Sequence, residues 1–272
     1  MNVLFIGGGN MGRALVGGLL AQGRARSGLV VVEPDATARA RLQDDFGIRA
    51  APAATGELVA GAGLVLFAVK PQHLREAARG LAPHLAGQLV LSIAAGIRLE
   101  DLSRWLAGHQ RLIRAMPNTP ALIRRGISGL FAHPSVDDAG RRSAEDILGA
   151  VGETMWCARE DQLDAVTAMS GSGPAYVFYF LEAMIEAGED LGFSTDQARR
   201  LAYATAGGAA ALAAQAAEPP AVLRAQVTSK GGTTAAAIAE LERRAVKAAF
   251  VAAIRAAAAR AAELGDELGK DA

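Results

Sequence analysis

The stretch "VLFIGGGNMG", residues 3–12, runs an apolar strand-length segment straight into the spacing Gly7-x-Gly9-x-x-Gly12. No other feature constrains the fold as tightly. An apolar run, a glycine turn and then the helical spacing of "NMGRALVGGLLAQG" describe the first strand-to-helix crossover of a doubly wound sheet. Gly7 permits a tight turn, and Gly9 lets the backbone approach a pyrophosphate. Gly12 lets the helix lie close to the strand, with its N-terminal N–H groups facing the anion.

The first half continues the alternation. "LVVVE", "GLVLFAV", "GQLVLSIAAG" and "QRLIRAM" have strand length, and "ATARARLQDDFG" reads as a polar-faced helix. "GISGLFA" and "ETMWCA" add strands, with "VDDAGRRSAEDILGAVG" a helix between them. Strands alternating with helices imply a mainly parallel sheet covered on both faces. After about residue 160 the remaining segments are long, alanine-rich and helical in period, with no convincing strand. The expected architecture is therefore α/β: a Rossmann-like, doubly wound dinucleotide-binding domain over 1–158, then an all-helical domain over 159–272. Within that second domain "AYVFYFL" is apolar on every face of its helix and needs burial all round. A small helical domain cannot supply that alone, which predicts an obligate homodimer.

Composition narrows the function classes. Charge is balanced at 28 basic and 28 acidic residues, so the basic footprint of a nucleic-acid binder is missing. No apolar stretch is long enough to span a bilayer, and no leader-like start precedes the first strand, so a cytoplasmic location without a membrane partner is expected. The single cysteine, Cys157, excludes an internal disulfide, and the scattered histidines (His73, His84, His109, His133) give no metal-ligand spacing.

Several segments are candidates to line a ligand. Glu33 ends the second strand, where a carboxylate pairs with the ribose hydroxyls of NAD, yet Arg39 and Arg41 just beyond could face a 2′-phosphate. Ala68, Lys70, Pro71 and the run Ala94, Ala95, Gly96 fall at strand ends, where ligands of such sheets gather. Lys70 reads equally well as a solvent-facing lysine. Asn118 lies between prolines in "RAMPNTPALI" and either contacts a ligand or holds the turn, the second being the commoner role. Ser170, Ser172 and Pro174 read as helix-start chemistry. "AQVTSKGGTTAAAI", residues 225–238, gathers hydroxyls and glycines between helical segments. It is either a turn with capped helices or a cradle for a small anion.

In this order, "FIGGGNMG", "AVKPQ", "SIAAG", "RAMPNTP", "MSGSGPAY" and "VTSKGGTT" resemble the pyrroline-5-carboxylate reductase family over nearly the whole chain. The resemblance implies NAD(P)H-dependent reduction of Δ1-pyrroline-5-carboxylate to L-proline by an interlocked dimer that can assemble further. NADPH is the expected coenzyme, with NADH possible. Carried over residue by residue, the dinucleotide loop falls on Ile6, Gly7, Gly8, Gly9, Asn10, Met11 and Gly12. A second contact segment falls on Ala68, Val69, Lys70 and Pro71, and the turn beside nicotinamide on Ile93, Ala94 and Ala95. The substrate loop falls on Ser229, Gly231, Gly232, Thr233 and Thr234. There the backbone N–H groups around Gly231 and Gly232, with the hydroxyls of Ser229 and Thr233, would cradle the carboxylate, and Thr234 would hold the ring nitrogen as the catalytic residue. Two positions depart from the family pattern: Lys230 replaces a frequent proline, and Thr55 a coenzyme-contacting asparagine. A β-hydroxyacid dehydrogenase would need a lysine where Val177 stands. A non-catalytic dinucleotide sensor would not need the intact hydroxyl loop.

Overall fold

A computed structural model describes residues 1–270 of the chain, which divides into two compact units. Residues 1–172 and the chain from 257 onward form the first, and residues 173–256 the second. The expected end of the helical domain, residues 271–272, lies outside the described residues.

The first unit begins with β1 (Val3–Ile6), α1 (Asn10–Ala21), β2 (Leu29–Val32), α2 (Ala36–Phe46) and β3 (Arg49–Ala51). It continues through α3 (Gly56–Ala60), β4 (Leu64–Phe67), α4 (Pro71–Leu81), β5 (Leu89–Ser92) and α5 (Leu99–Trp105). Then come β6 (Leu112–Met116), β7 (Gly126–Ala132), α6 (Asp138–Leu148), β8 (Gly152–Trp156) and α7 (Gln162–Val166). The strands make one eight-stranded sheet in the order β3-β2-β1-β4-β5-β6-β7-β8. Among the described residues, only β6 and β7 pair antiparallel. The strand order reverses at β1 and β4, which places a crevice beyond their carboxyl ends.

Burial explains why these runs become strands. β1, β4 and β5 are buried at every position. Their side chains alternate between the two faces: Val3 and Phe5 join one apolar cluster with Leu15 and Leu66, whereas Leu4 and Ile6 join another with Val65 and Leu102. Each such side chain contributes about 1.5–3 kcal/mol when fully buried. The strands expected from "GISGLFA" and "ETMWCA" are β7 and β8. β3 lies outside the sequence reading because it is only three residues, Arg-Ala-Ala, with Arg49 exposed. Its pairing to β2, not its own apolar character, makes it a strand.

The first unit runs past residue 158 for a packing reason. A Cβ at Gly129 of β7 would lie 2.8 Å from Val166 Cγ2, so α7 sits directly on strand backbone. Arg114 of β6, 3% exposed, donates to Glu160 Oε1 at 3.2 Å and Asp164 Oδ1 at 3.3 Å. The same Glu160 oxygen accepts from the Leu99 N–H at 2.7 Å, capping α5. Beyond α7, Thr167–Gly171 forms a wide π-type turn in which the Ser172 N–H donates to the Thr167 carbonyl at 2.8 Å.

The second unit holds α8 (Gly173–Asp190), α9 (Thr195–Gln215), α10 (Pro220–Gln226), α11 (Thr233–Arg243) and the start of α12 (Val246–Gly269). As expected, it contains no strand among the described residues. Small residues bring helices close: a Cβ at Gly188 of α8 would lie 2.8 Å from that of Ala198 on α9. Phe250 of α12 packs against Tyr176 and Phe180 of α8, with ring centroids 5.8 and 5.6 Å apart. The all-apolar helix is present, yet Phe178 and Tyr179 remain 58% and 73% exposed within the single chain.

Candidate active site

The glycine loop joins β1 to α1 at the sheet's crevice. Gly7 has φ +104°, and a Cβ there would lie 2.8 Å from the Ala68 carbonyl oxygen, so only glycine fits. A Cβ at Gly12 would lie 2.6 Å from the Gly7 carbonyl oxygen, which is the close approach of helix to strand expected from the spacing. Gly9 differs: nothing lies within 4 Å of its Cβ position. Gly9 caps α1 without a side-chain acceptor, and the first turn of α1 holds no acidic residue. Open backbone, unoccupied N–H groups and the positive end of a helix dipole fit the pyrophosphate of a dinucleotide. Asn10 is the exposed first residue of α1, and Met11 packs on the core behind the loop.

Glu33 lies directly after β2 and turns back onto the loop. Its Oε2 accepts from the Gly8 N–H at 2.9 Å and its Oε1 from the Asp35 N–H at 3.0 Å. Arg39 donates to the carbonyls of Glu33 and Pro34 at 2.8 and 2.6 Å. Its guanidinium therefore bonds backbone oxygens just after β2, and Arg41 is exposed on α2. Next to this corner is a cavity of about 490 Å³, lined by Ile6, Gly7 and Val69 and by Ala54, His73 and Ala77. The last three were missed from the sequence; on α4, His73, Glu76, Ala77 and Gly80 recur at helical spacing on the lining face, a signal that could have found His73 and Ala77. Ala54 lies in the loop before α3 and has no such signal.

Ala68 and Val69 leave β4 half-buried, Lys70 is the exposed N-cap of α4, and Pro71 is its first residue. After β5, Ile93 is partly buried, Ala94 is 3% exposed, and Ala95 precedes the buried Gly96 at φ +76°. Ile6, Gly7, Glu33, the Ala68–Pro71 segment and the Ile93–Ala95 segment thus share one edge of the sheet. Thr55 caps α3, its Oγ1 accepting from the Leu58 N–H at 3.3 Å.

The polar loop of the second unit joins α10 to α11. Here the threonines do not cap the helix: Gly232 is the N-cap, with Thr233 and Thr234 as the first two helical residues. Nor is every loop amide open, because the Gly232 N–H donates to the Ser229 carbonyl at 3.1 Å across a turn with Gly231 at φ +73°. Thr228 Oγ1 donates to the Arg224 carbonyl at 2.6 Å, which removes it from the ligand-facing set. Ser229, Lys230, Gly231 and Thr233 are exposed, and Thr234 is half-buried. Since Gly232 brings no side-chain acceptor, the first N–H groups of α11 are available to an anion.

The remaining candidates are structural. Asn118 Oδ1 accepts from the Ile127 N–H at 3.0 Å, and its Nδ2 donates to Ser170 Oγ at 3.1 Å. Asn118 holds its turn, and Ser170 sits in the π-type turn instead of capping a helix. Burial pushes the Cys157 thiol above its usual pKa, which disfavours a nucleophilic thiolate.

Comparison with known proteins bears on both units. A family model described as pyrroline-5-carboxylate reductase dimerisation matches residues 160–264, and one described as NADP oxidoreductase coenzyme F420-dependent matches residues 2–96. The chain is 45% identical to a pyrroline-5-carboxylate reductase of Pseudomonas aeruginosa over 98% of each chain. It is 40% identical to that of Haemophilus influenzae, covering 96% of this chain and 97% of the relative. Among solved structures, a Coxiella burnetii pyrroline-5-carboxylate reductase superposes with TM-score 0.91 at 38% identity, covering 97% and 98% of the two chains. The NADP-bound Plasmodium falciparum enzyme gives 0.86 at 26% identity, with the same coverage. A 3-hydroxyisobutyrate dehydrogenase of Mycobacterium tuberculosis, at 18% identity and TM-score 0.51 over 71% and 66% of the chains, shares the fold alone.

The open space at Gly9 makes a sharp test. Gly9→Ala meets no atom within 4 Å and should leave the melting temperature unchanged. Its methyl group projects where the glycine spacing predicts a pyrophosphate, so dinucleotide affinity should fall about tenfold, as measured by calorimetric titration. Equal affinity in the variant would move the binding site away from this loop.

Proposed function

The chain belongs to the pyrroline-5-carboxylate reductase family, and on that premise we propose which of its residues carry each part of the reaction. The enzyme reduces the cyclic imine Δ1-pyrroline-5-carboxylate to L-proline with NAD(P)H, the last step of proline biosynthesis.

The observation behind the residue assignment is the open N-terminus of α11 following a hydroxyl-bearing turn. Ser229 Oγ, the Gly231 N–H and the first N–H groups of α11 receive the substrate carboxylate. Gly232 shapes the turn instead of donating to the ligand. Thr234, on the first turn of the same helix, accepts from the protonated ring nitrogen and fixes which face of the imine is presented. Lys230 is exposed and adds long-range attraction for an anion. The bound reduced nicotinamide supplies the hydride. Ile93, Ala94 and Ala95 form the wall beside its ring, Ala68, Val69, Lys70 and Pro71 flank the ribose and phosphates, and the loop from Ile6 to Gly12 holds the pyrophosphate.

Functionally, the dinucleotide-binding part ends near 158 and the dimerisation part begins near 159, a division supported by the family match that starts at residue 160. The minimal unit is an obligate homodimer built on α8, whose exposed Val177, Phe178, Tyr179 and Phe180 need a partner surface. Reliance on a reduced coenzyme pool is consistent with a cytoplasmic enzyme.

Three measurements test this account. Thr234→Ala should lower kcat about tenfold and leave coenzyme affinity unchanged, with Thr234→Ser largely restoring the rate. Unchanged steady-state kinetics on the imine would remove Thr234 from the mechanism. Phe178→Glu should dissociate the dimer in sedimentation and abolish turnover; a folded, active monomer would contradict the interface. At the ribose, the Glu33 carboxylate held by Gly8 and Asp35 disfavours a 2′-phosphate. Glu33→Ser should therefore raise the ratio of kcat/KM for NADPH over NADH by about tenfold, and an unmoved ratio would place the discrimination elsewhere.

A further inference from the structure

The last turns of α12 belong to the first unit and lie against the turn that follows β5. A Cβ at Gly265 would lie 3.3 Å from the Gly96 carbonyl oxygen, and one at Gly96 would lie 3.2 Å from Leu268 Cδ1 and 3.6 Å from the Gly265 nitrogen. Both glycines are buried, and the two backbones approach each other beside the Leu268 and Arg98 side chains.

Three arginines fasten that contact. Arg98 pairs with Asp266 at 2.7 Å. Arg104 bonds Asp101 at 2.8 Å and donates to the Gly269 carbonyl at 2.7 Å. Arg75 stacks 5.1 Å from the Trp105 ring centroid and donates to the carbonyls of Leu268 and Lys270. Cations at a helix C-terminus satisfy its last carbonyls and oppose its dipole. From another direction Glu160 caps α5 at Leu99, itself held by Arg114. The segment between β5 and α5 is therefore gripped at Gly96, Arg98 and Leu99.

We infer that the C-terminal end of α12 is a positioning element for the nicotinamide half of the coenzyme, acting through Gly96, with Gly265 and the Arg98–Asp266 pair as its positioning residues. This rests on the proposed placement of Ile93, Ala94 and Ala95 beside the nicotinamide ring. A displacement of about 1 Å there costs up to about a hundredfold in rate. A contact that merely holds the fold would, when lost, weaken every ligand alike. A positioning contact weakens the nicotinamide end alone.

The test uses the full chain and compares NADH with ADP-ribose, which lacks the nicotinamide. Gly265→Val should weaken NADH about tenfold and ADP-ribose less than about twofold, and lower kcat about tenfold with KM for the imine nearly unchanged. Arg98→Asp and Asp266→Arg should each lower kcat, and the charge-exchanged double variant should restore it. Equal weakening of both nucleotides by Gly265→Val, or single charge variants with wild-type kcat and NADH affinity, would overturn the inference. If Gly265→Val does not fold, the charge exchange decides. A wild-type enzyme that fails to oxidise coenzyme with the imine would overturn the functional reading instead, and the nucleotide comparison would still decide this one.

Discussion

Backbone meets backbone where the glycine loop passes the exit of β4, with the Cβ position of Gly7 only 2.8 Å from the Ala68 carbonyl oxygen. The rest of the first unit depends on that approach. The Gly7 N–H donates to the Val32 carbonyl and the Ala68 N–H to the Ile6 carbonyl, each at 2.8 Å. The neighbouring strands β2, β1 and β4 thus stay in register one step beyond their formal ends. A side chain at Gly7 would push the loop off β4 and open the crevice where the sheet reverses direction. With the ladder closed, the loop is held before any ligand arrives, which lowers the ordering cost of binding.

Charge is used differently in the interior and at the surface. The Arg114 side chain is 4% exposed, and its partners Glu160 and Asp164 are 24% and 13% exposed. Removing one member of a buried pair costs about 3–5 kcal/mol, largely because the other is stranded. Exposed pairs within a single helix, such as Arg243–Glu240 of α11 and Arg260–Glu263 of α12, are each worth about 0–1 kcal/mol. The buried network is therefore a registration device. It joins β6, the start of α5 and the region just before α7, and so ties the sheet to the segment where the helical half of the chain begins.

What could be read in advance follows from how local each feature is. "VLFI", "LVVV", "LVLF" and "LVLS" are apolar runs with glycine or charged residues nearby, and each became a strand buried wholly or nearly so. The glycine spacing and the helical period of the second half are equally local. β3 was hidden because pairing, not composition, makes it a strand. The threonines of residues 233–234 suggested caps, but Gly232 took that position, a difference of one residue that composition cannot resolve. The meeting of Gly96 with Gly265 was unreadable for a deeper reason, since neither glycine has a local pattern that announces its partner. Residues that act through their immediate neighbours were legible, and residues that act across the fold were not.

The chemistry asks little of the side chains as acids. Reduction of an imine places hydride on carbon and leaves nitrogen as an amine, so the one proton required can arrive with the substrate as the iminium ion. Among the described residues no cluster of three or more His, Cys, Asp or Glu side chains gathers at one point. Burial lowers the pKa of His109, whose Nε2 is engaged with the Gln88 carbonyl oxygen at 2.9 Å. That histidine favours its neutral form and braces the sheet. What the chain offers instead is fixed geometry: open N–H groups at the starts of α1 and α11, hydroxyls on a tight turn, and a segment after β5 gripped at Gly96 and Leu99. For a reaction whose bond-making atom is carried by the coenzyme, orientation is the protein's largest available contribution. The positions that matter most are then those where an added methyl group, not a lost charge, would do the damage.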